Sequence, residues 1–194
     1  MRRILLALFG ILAPGAAFAH TGIGAHGSPF ASGLAHPFLG PDHFLAMVAV
    51  GLFAAMTGGR ARWAYPLAFV GAMLAGGFLG FAGAGLPVVE PTILGSVIVL
   101  GAAIAFAVRP PVLLASAVIA LFGLAHGYAH GLEGPELGGL PYAAGFVLAT
   151  ASLHLLGLGI GFAIGSLGRP GVARVLGGVL GGIGCAAGVA LALG

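Results

Sequence analysis

Charge is what this sequence has least of. Asp, Glu, Lys and Arg together make up 6% of 194 residues, with four acidic residues and no lysine at all. A water-soluble domain carries about 25% charged residues, so that class is excluded. The pI of about 9.8 is basic, yet seven scattered arginines form no basic patch, which argues against a nucleic-acid partner. The single cysteine, Cys185, has nothing to pair with inside the chain, and it reads as a small hydrophobe of the last helix. No glycine-rich loop ending in Lys-Ser/Thr is present, so nothing in the sequence binds ATP in that manner.

What is there is apolar: 60% of residues are hydrophobic and the mean hydropathy is +1.16. The composition predicts an all-α fold, a polytopic membrane helix bundle. Arg2-Arg3 precede an apolar run from Ile4 to Leu12, and Ala17-Phe18-Ala19 offers small residues where a signal peptidase reads. A cleaved signal peptide over residues 1–19 is expected, exported by the Sec route, because the twin arginine lacks the rest of a Tat signal. Cleavage after Ala19 would make His20 the first residue, setting a free amine beside an imidazole, a pair able to chelate a divalent metal. A periplasmic segment 20–35 and a transmembrane domain 36–194 would follow.

A helix needs roughly 20 apolar residues to cross the hydrocarbon core. Six segments meet that approximately: 39–57, 64–83, 92–108, 112–130, 141–167 and 175–193. The intervening stretches alternate in charge. Arg60, Arg62, Arg109, Arg169 and Arg174 fall in loops on one side, and Glu90, Glu133 and Glu136 in loops on the other. By the positive-inside rule the arginine side is cytoplasmic, which places both mature termini in the periplasm and the chain in the bacterial inner membrane. Glycine is abundant, at 38 residues, and recurs every fourth position at Gly157, Gly161 and Gly165 and at Gly177 and Gly181. Such faces let helix backbones approach in lipid, and they could also support a homo-oligomer. Spans one and four run in opposite directions, as an inverted repeat of three and three spans requires, although similarity between the halves is faint.

Against this background the polar residues stand out: His36 with Asp42 and His43, then His126 and His130, then His154. An ionisable group in lipid costs several kcal/mol unless partnered, so each is a functional candidate. Asp42 and His43 open span one at its outer end. His126 and His130 lie one turn apart on the same face near the outer end of span four, and i, i+4 imidazoles can chelate one ion. His154 lies about 20 Å down span five at the helical rise, near mid-membrane. Met47, one turn below His43, is expected to pack, with a thioether contact as the alternative. Glu133, placed in a loop beyond Gly131, reads equally as a cation-collecting carboxylate or a solvated charge. Neutral imidazoles with one carboxylate suit nickel, cobalt, zinc or copper, whereas calcium or magnesium would call for more oxygen donors.

The segment His36-Pro-Phe-Leu-Gly-Pro-Asp-His43-Phe-Leu-Ala-Met47-Val-Ala-Val-Gly51 resembles the first-helix signature of the HupE/UreJ family of small membrane proteins. The stretch His126-Gly-Tyr-Ala-His130-Gly-Leu-Glu133 resembles its second histidine motif. The resemblance runs over essentially the whole chain. It implies a nickel, or sometimes cobalt, uptake permease linked to hydrogenase or urease systems, not an enzyme, with no prosthetic group. It implies metal handling by His36, Asp42, His43, His126, His130 and Glu133. His154, from its depth and isolation, and His20 complete the expected set. Two other classes use the same ligands: an intramembrane zinc hydrolase with three histidines and an Asp or Glu activating water, and a metal sensor or chaperone that never transports.

Overall fold

The computed structural model describes residues 28–137, 139–168 and 170–193. The expected signal peptide and His20 lie outside the described residues. Seven helices follow one another: α1 (Pro29–Leu39), α2 (Pro41–Thr57), α3 (Ala61–Phe81), α4 (Val89–Ala105), α5 (Val112–Leu137), α6 (Leu140–Ser166) and α7 (Pro170–Leu193). No strand occurs among the described residues. A backbone surrounded by hydrocarbon must satisfy its own N–H and C=O groups, so even glycine-rich apolar segments are held helical.

The surface is turned outward in the sense lipid demands. Trp63, Leu67, Phe78, Leu113 and Leu155 are all more than 60% exposed, while His43, Ser96, His126, His130, Thr150 and His154 are buried. Large apolar residues facing out over polar residues facing in is the arrangement of a membrane protein. By length and composition α3, α5, α6 and α7 can each cross a bilayer. The pair α1 and α2 qualifies together, bent by 81°, and α4 is shorter at 17 residues. Four spans, or five with the bent pair, are therefore supported where six were expected.

Three sequence expectations need correction. The first concerns α1, which was not foreseen. Ser28 caps it, its Oγ accepting from the Ala31 N–H at 3.3 Å, and Pro29 sits at the first helical position. It ends at Gly40, whose extended backbone (φ −91°, ψ 111°) follows from the proline after it, since a residue before proline avoids the helical region. Pro41 then opens α2. The second concerns Glu133 and Glu136, which lie in α5 and not in a loop, because Gly131 seats against the backbone of Gly77 and carries the helix past His130. The third concerns Arg174, which falls within α7, started earlier than expected by Pro170.

Packing runs through glycine. α3 lies along α5, α4 along α7, and α6 receives both α1 and α2. Between α3 and α5 the contact is backbone on backbone from both sides: a methyl group on Gly76, Gly80, Gly123, Gly127 or Gly131 would overlap a carbonyl of the partner helix. Gly51 and Gly157 do the same between α2 and α6, Gly33 and Gly145 between α1 and α6, and Gly101 and Gly181 between α4 and α7. Of the glycines singled out from spacing, Gly157 and Gly181 meet backbone, Gly161 and Gly177 meet side chains, and Gly165 meets nothing within 4 Å.

Helix pairing also has the form of an inverted repeat. Exchanging α2 with α5, α3 with α6 and α4 with α7 converts the α2–α6 pair into the α5–α3 pair and returns α4–α7 to itself. The exchange is incomplete, because α4 packs on α2 whereas α7 has no comparable contact with α5.

Gly127→Ala, which drives a methyl group into the Met73 carbonyl, should lower the thermal unfolding midpoint in detergent and destabilise by about 1–3 kcal/mol. Gly95→Ala, with open space around it, should be neutral or raise the midpoint, since alanine is the better helix former by about 1 kcal/mol.

Candidate metal centre

The sharp break between α1 and α2 brings Asp42 and His43 together in the first turn of α2. Asp42 Oδ1 accepts from the His43 backbone N–H at 2.8 Å and lies 2.8 Å from His43 Nδ1. A carboxylate only accepts, so Nδ1 carries the proton and Nε2 keeps its lone pair. Nε2 is buried with no hydrogen-bond partner. A carboxylate fixing a histidine's tautomer and ring orientation is the usual outer partner of a metal-binding imidazole. Asp42, expected among the metal-handling residues, therefore fixes the orientation of the His43 ring.

His126 is oriented by similar logic from another helix. Ser96 on α4 donates its single hydroxyl proton to the Ile93 carbonyl at 2.6 Å, and its oxygen lies 3.1 Å from His126 Nε2. The serine oxygen must then accept, which puts the His126 proton on Nε2 and the lone pair on Nδ1. Nδ1 has no hydrogen-bond partner and the residue is fully buried.

His36, His43 and His130, from α1, α2 and α5, converge so that one ring nitrogen of each lies within 4.8 Å of the others. The His130 ring centroid is 4.5 Å from that of His36 and 4.7 Å from that of His43. Tyr142, from the first turn of α6, sets its hydroxyl 3.4 Å from His130 Nδ1, and Phe146 packs against the same imidazole at 3.8 Å. His126 joins the group from below, 4.8 Å from His43 between centroids. Four imidazoles thus form one continuous cluster, and three of them already have the spacing of a shared ion.

His154 stands apart. The fully buried Phe69 ring separates it from His126, 5.4 Å from one and 5.2 Å from the other. Neither ring nitrogen of His154 has a hydrogen-bond partner. Met47 is fully buried, and its sulfur receives the Thr150 hydroxyl at 3.4 Å. Glu133 continues α5 three residues beyond His130.

Sequence reading missed Ser96, Phe69, Tyr142, Phe146 and Thr150, all of which shape the site. Only Ser96 and Thr150 carried a signal, as hydroxyls in apolar spans. The aromatic residues could not be told from packing residues.

The whole cluster lies at one end of the bundle. Arg60 and Arg62 open α3 at the other end, where the Arg62 guanidinium sits 5.1 Å above the ring of Phe162, close to the C-terminus of α6. Residues 6–187 match the family model described as HupE / UreJ protein. The chain is 44% identical over 180 residues to Protein HupE of Rhizobium leguminosarum bv. viciae, covering 92% of this chain and 93% of that relative. No solved structure matches.

Asp42→Asn keeps the shape of the side chain and removes the anion that holds the His43 tautomer. It should weaken any transition-metal binding to the purified protein about 10–100-fold, the usual effect of losing such a partner, as read by titration calorimetry with nickel and cobalt.

Proposed function

The chain belongs to the HupE/UreJ family, and from that premise we propose that it is a nickel uptake permease of the bacterial inner membrane, with cobalt as second cargo. The family is one of metal transporters, not of enzymes. The observation that carries the reading is the meeting of His36, His43 and His130, from three helices, with ligand nitrogens within 4.8 Å of one another. Imidazole nitrogens suit nickel, cobalt, zinc and copper, and the family narrows that set. The zinc hydrolase weighed from sequence also wants three histidines. Asp42, the carboxylate beside the cluster, is engaged by His43 through Oδ1, which disfavours it as the water-activating base.

On this reading α1 with α2 makes the first of six spans and the short α4 the third. The end bearing Arg60, Arg62 and Arg109 faces the cytoplasm, and both mature termini are periplasmic. Metal enters from the periplasm, helped by His20 if it becomes the mature N-terminus and by Glu133 near the mouth. It is held by His36, His43 and His130 with His126 beneath, and passes Phe69 to His154. An inside-negative potential of about 100 mV favours entry of a divalent cation by about 4.6 kcal/mol, twice the single-charge value, so influx needs no nucleotide. The nickel supplied would serve a hydrogenase or a urease, and glycines with open space around them, such as Gly165, leave room for a homo-oligomer in the lipid.

Cells expressing the chain should accumulate nickel above the vector control. His126→Ala combined with His130→Ala should abolish that excess at unchanged membrane levels of the protein, as read by elemental analysis of nickel, cobalt, zinc and copper. Unaltered accumulation in the double variant would sink the assignment. Acid should act in one direction only. A protonated imidazole has no lone pair to give, so binding competes with protons and weakens as pH falls. Uptake into liposomes should fall and not rise on acidification; a steady rise as the pH is lowered would contradict histidine ligation.

A further inference from the structure

Beneath the histidine cluster is a second group of donor atoms of different character. Thr150 on α6 points its hydroxyl between two thioethers, the sulfur of Met47 on α2 at 3.4 Å and that of Met73 on α3 at 3.7 Å. Thr150 and Met47 are fully buried and Met73 nearly so. One hydroxyl proton is all Thr150 has, so shared between two sulfurs it leaves lone pairs on both. One turn further along α6 comes His154, 2% exposed, with neither ring nitrogen hydrogen-bonded. The opposing strip of α3 runs in register: Phe69 meets the His154 ring at 5.2 Å and, one turn on, Met73 meets Thr150. Three helices therefore deliver two thioethers and an unpartnered imidazole to adjacent layers of one buried column.

Packing accounts for a single methionine, but it does not account for the rest. A buried imidazole with no hydrogen-bond partner on either nitrogen loses its water without replacement, which is unfavourable for each group left unsatisfied. An apolar side chain of similar size would avoid that cost. Two sulfurs turned toward one hydroxyl, directly above such an imidazole, have the chemistry of a soft-to-borderline cation site.

We propose that Met47, Met73 and His154 form a second cation station below the histidine cluster, an imidazole–thioether station for a largely dehydrated transition-metal ion. Thr150 is its positioning residue, holding both sulfurs toward the column. Thioether ligands discriminate against magnesium and calcium, which take oxygen donors, so the station adds selectivity that the outer imidazoles share only in part. The proposal rests on the metal-permease reading above and names the donors that reading lacked.

Sulfur is scarce here, with four methionines and one cysteine in the whole chain, which makes the test direct. The full-length protein, purified in detergent and loaded with nickel or cobalt, whichever it retains, is measured by X-ray absorption at the metal K-edge. The wild type should show a sulfur scatterer beside the nitrogen shell. Met47→Leu with Met73→Leu, a swap of similar volume, should remove it, and Met56→Leu should not. Should the double variant fail to fold, selenomethionine substitution of the unmutated chain must replace the sulfur scatterer with selenium. A shell of nitrogen and oxygen alone in the wild type, a sulfur signal that survives in the folded double variant, or no bound metal at all overturns the station. A sulfur signal in a protein that moves no metal into liposomes would leave the station standing and remove the permease. Full transport with a nitrogen-only shell would do the reverse.

Discussion

Backbone contact at glycine is the constraint on which the histidine cluster depends. Inside a bilayer, lipid tails are as apolar as the helices they surround, so association comes from close van der Waals packing instead of the exclusion of water. The histidines are interleaved with the residues that make this packing. Gly127 and Gly131 sit one position after His126 and His130 and press against α3 at Met73 and Gly77, so one side of α5 is anchored while the other presents imidazoles. Gly51 lies against the carbonyl of His154, and Gly33, three residues before His36, against that of Tyr142. A widening of any of these contacts would move a ring nitrogen by a comparable amount, and metal ligands tolerate only a few tenths of an ångström.

Given that scaffold, the electrostatic design is spare. One carboxylate, Asp42, and one hydroxyl, Ser96, settle the tautomers of His43 and His126 and leave a lone pair on each without adding buried charge beyond Asp42 itself. Such a site carries a single negative charge when empty, and on the proposed reading an arriving cation supplies the charge for which the lone pairs are arranged. A ring of carboxylates would bind harder and release more slowly, and passage requires both entry and exit.

The fold was largely legible in the sequence because apolar length and charge-bearing breaks are local signals. The expected spans 64–83 and 141–167 differ from α3 and α6 by three residues or fewer at each end. The bend at Gly40 was less legible: Gly-Pro read correctly as a helix start, yet a short helix ahead of it depends on docking of Gly33 and Gly145 against α6 and α1, a contact between distant parts of the chain. The site divides in the same way. Histidines are conspicuous in a chain with so little charge, and His36, Asp42, His43, His126, His130 and His154 all come to one column. Ser96, Tyr142, Phe69 and Thr150 act through pairings 12 or more residues apart, and no periodicity within a single helix could announce them.

The inverted pairing of helices sharpens the functional asymmetry. Where α2 and α6 bring Gly51 against the His154 carbonyl and Gly157 against that of Val48, α5 and α3 bring Gly127 against the Met73 carbonyl and Gly76 against that of Leu124, so His154 and Met73 hold equivalent places in the two halves. At this level one half carries an imidazole and the other a thioether. Toward the arginine end the column continues through Phe53, Tyr65, Leu100, Ile104 and Ile119, with an apolar cavity of about 190 Å³ beside Phe53, Ala115 and Phe122. No further histidine or carboxylate lies that way among the described residues. On the proposed permease reading, a cation that has reached His154 stands at the last imidazole, facing a packed apolar core that must part before it can leave. Because interiors packed at close density yield by discrete rearrangement and not by gradual deformation, the scaffold on that reading would hold the ion from one side only. Release becomes a change of state of the helix pairs, not a slide down a continuous chain of ligands.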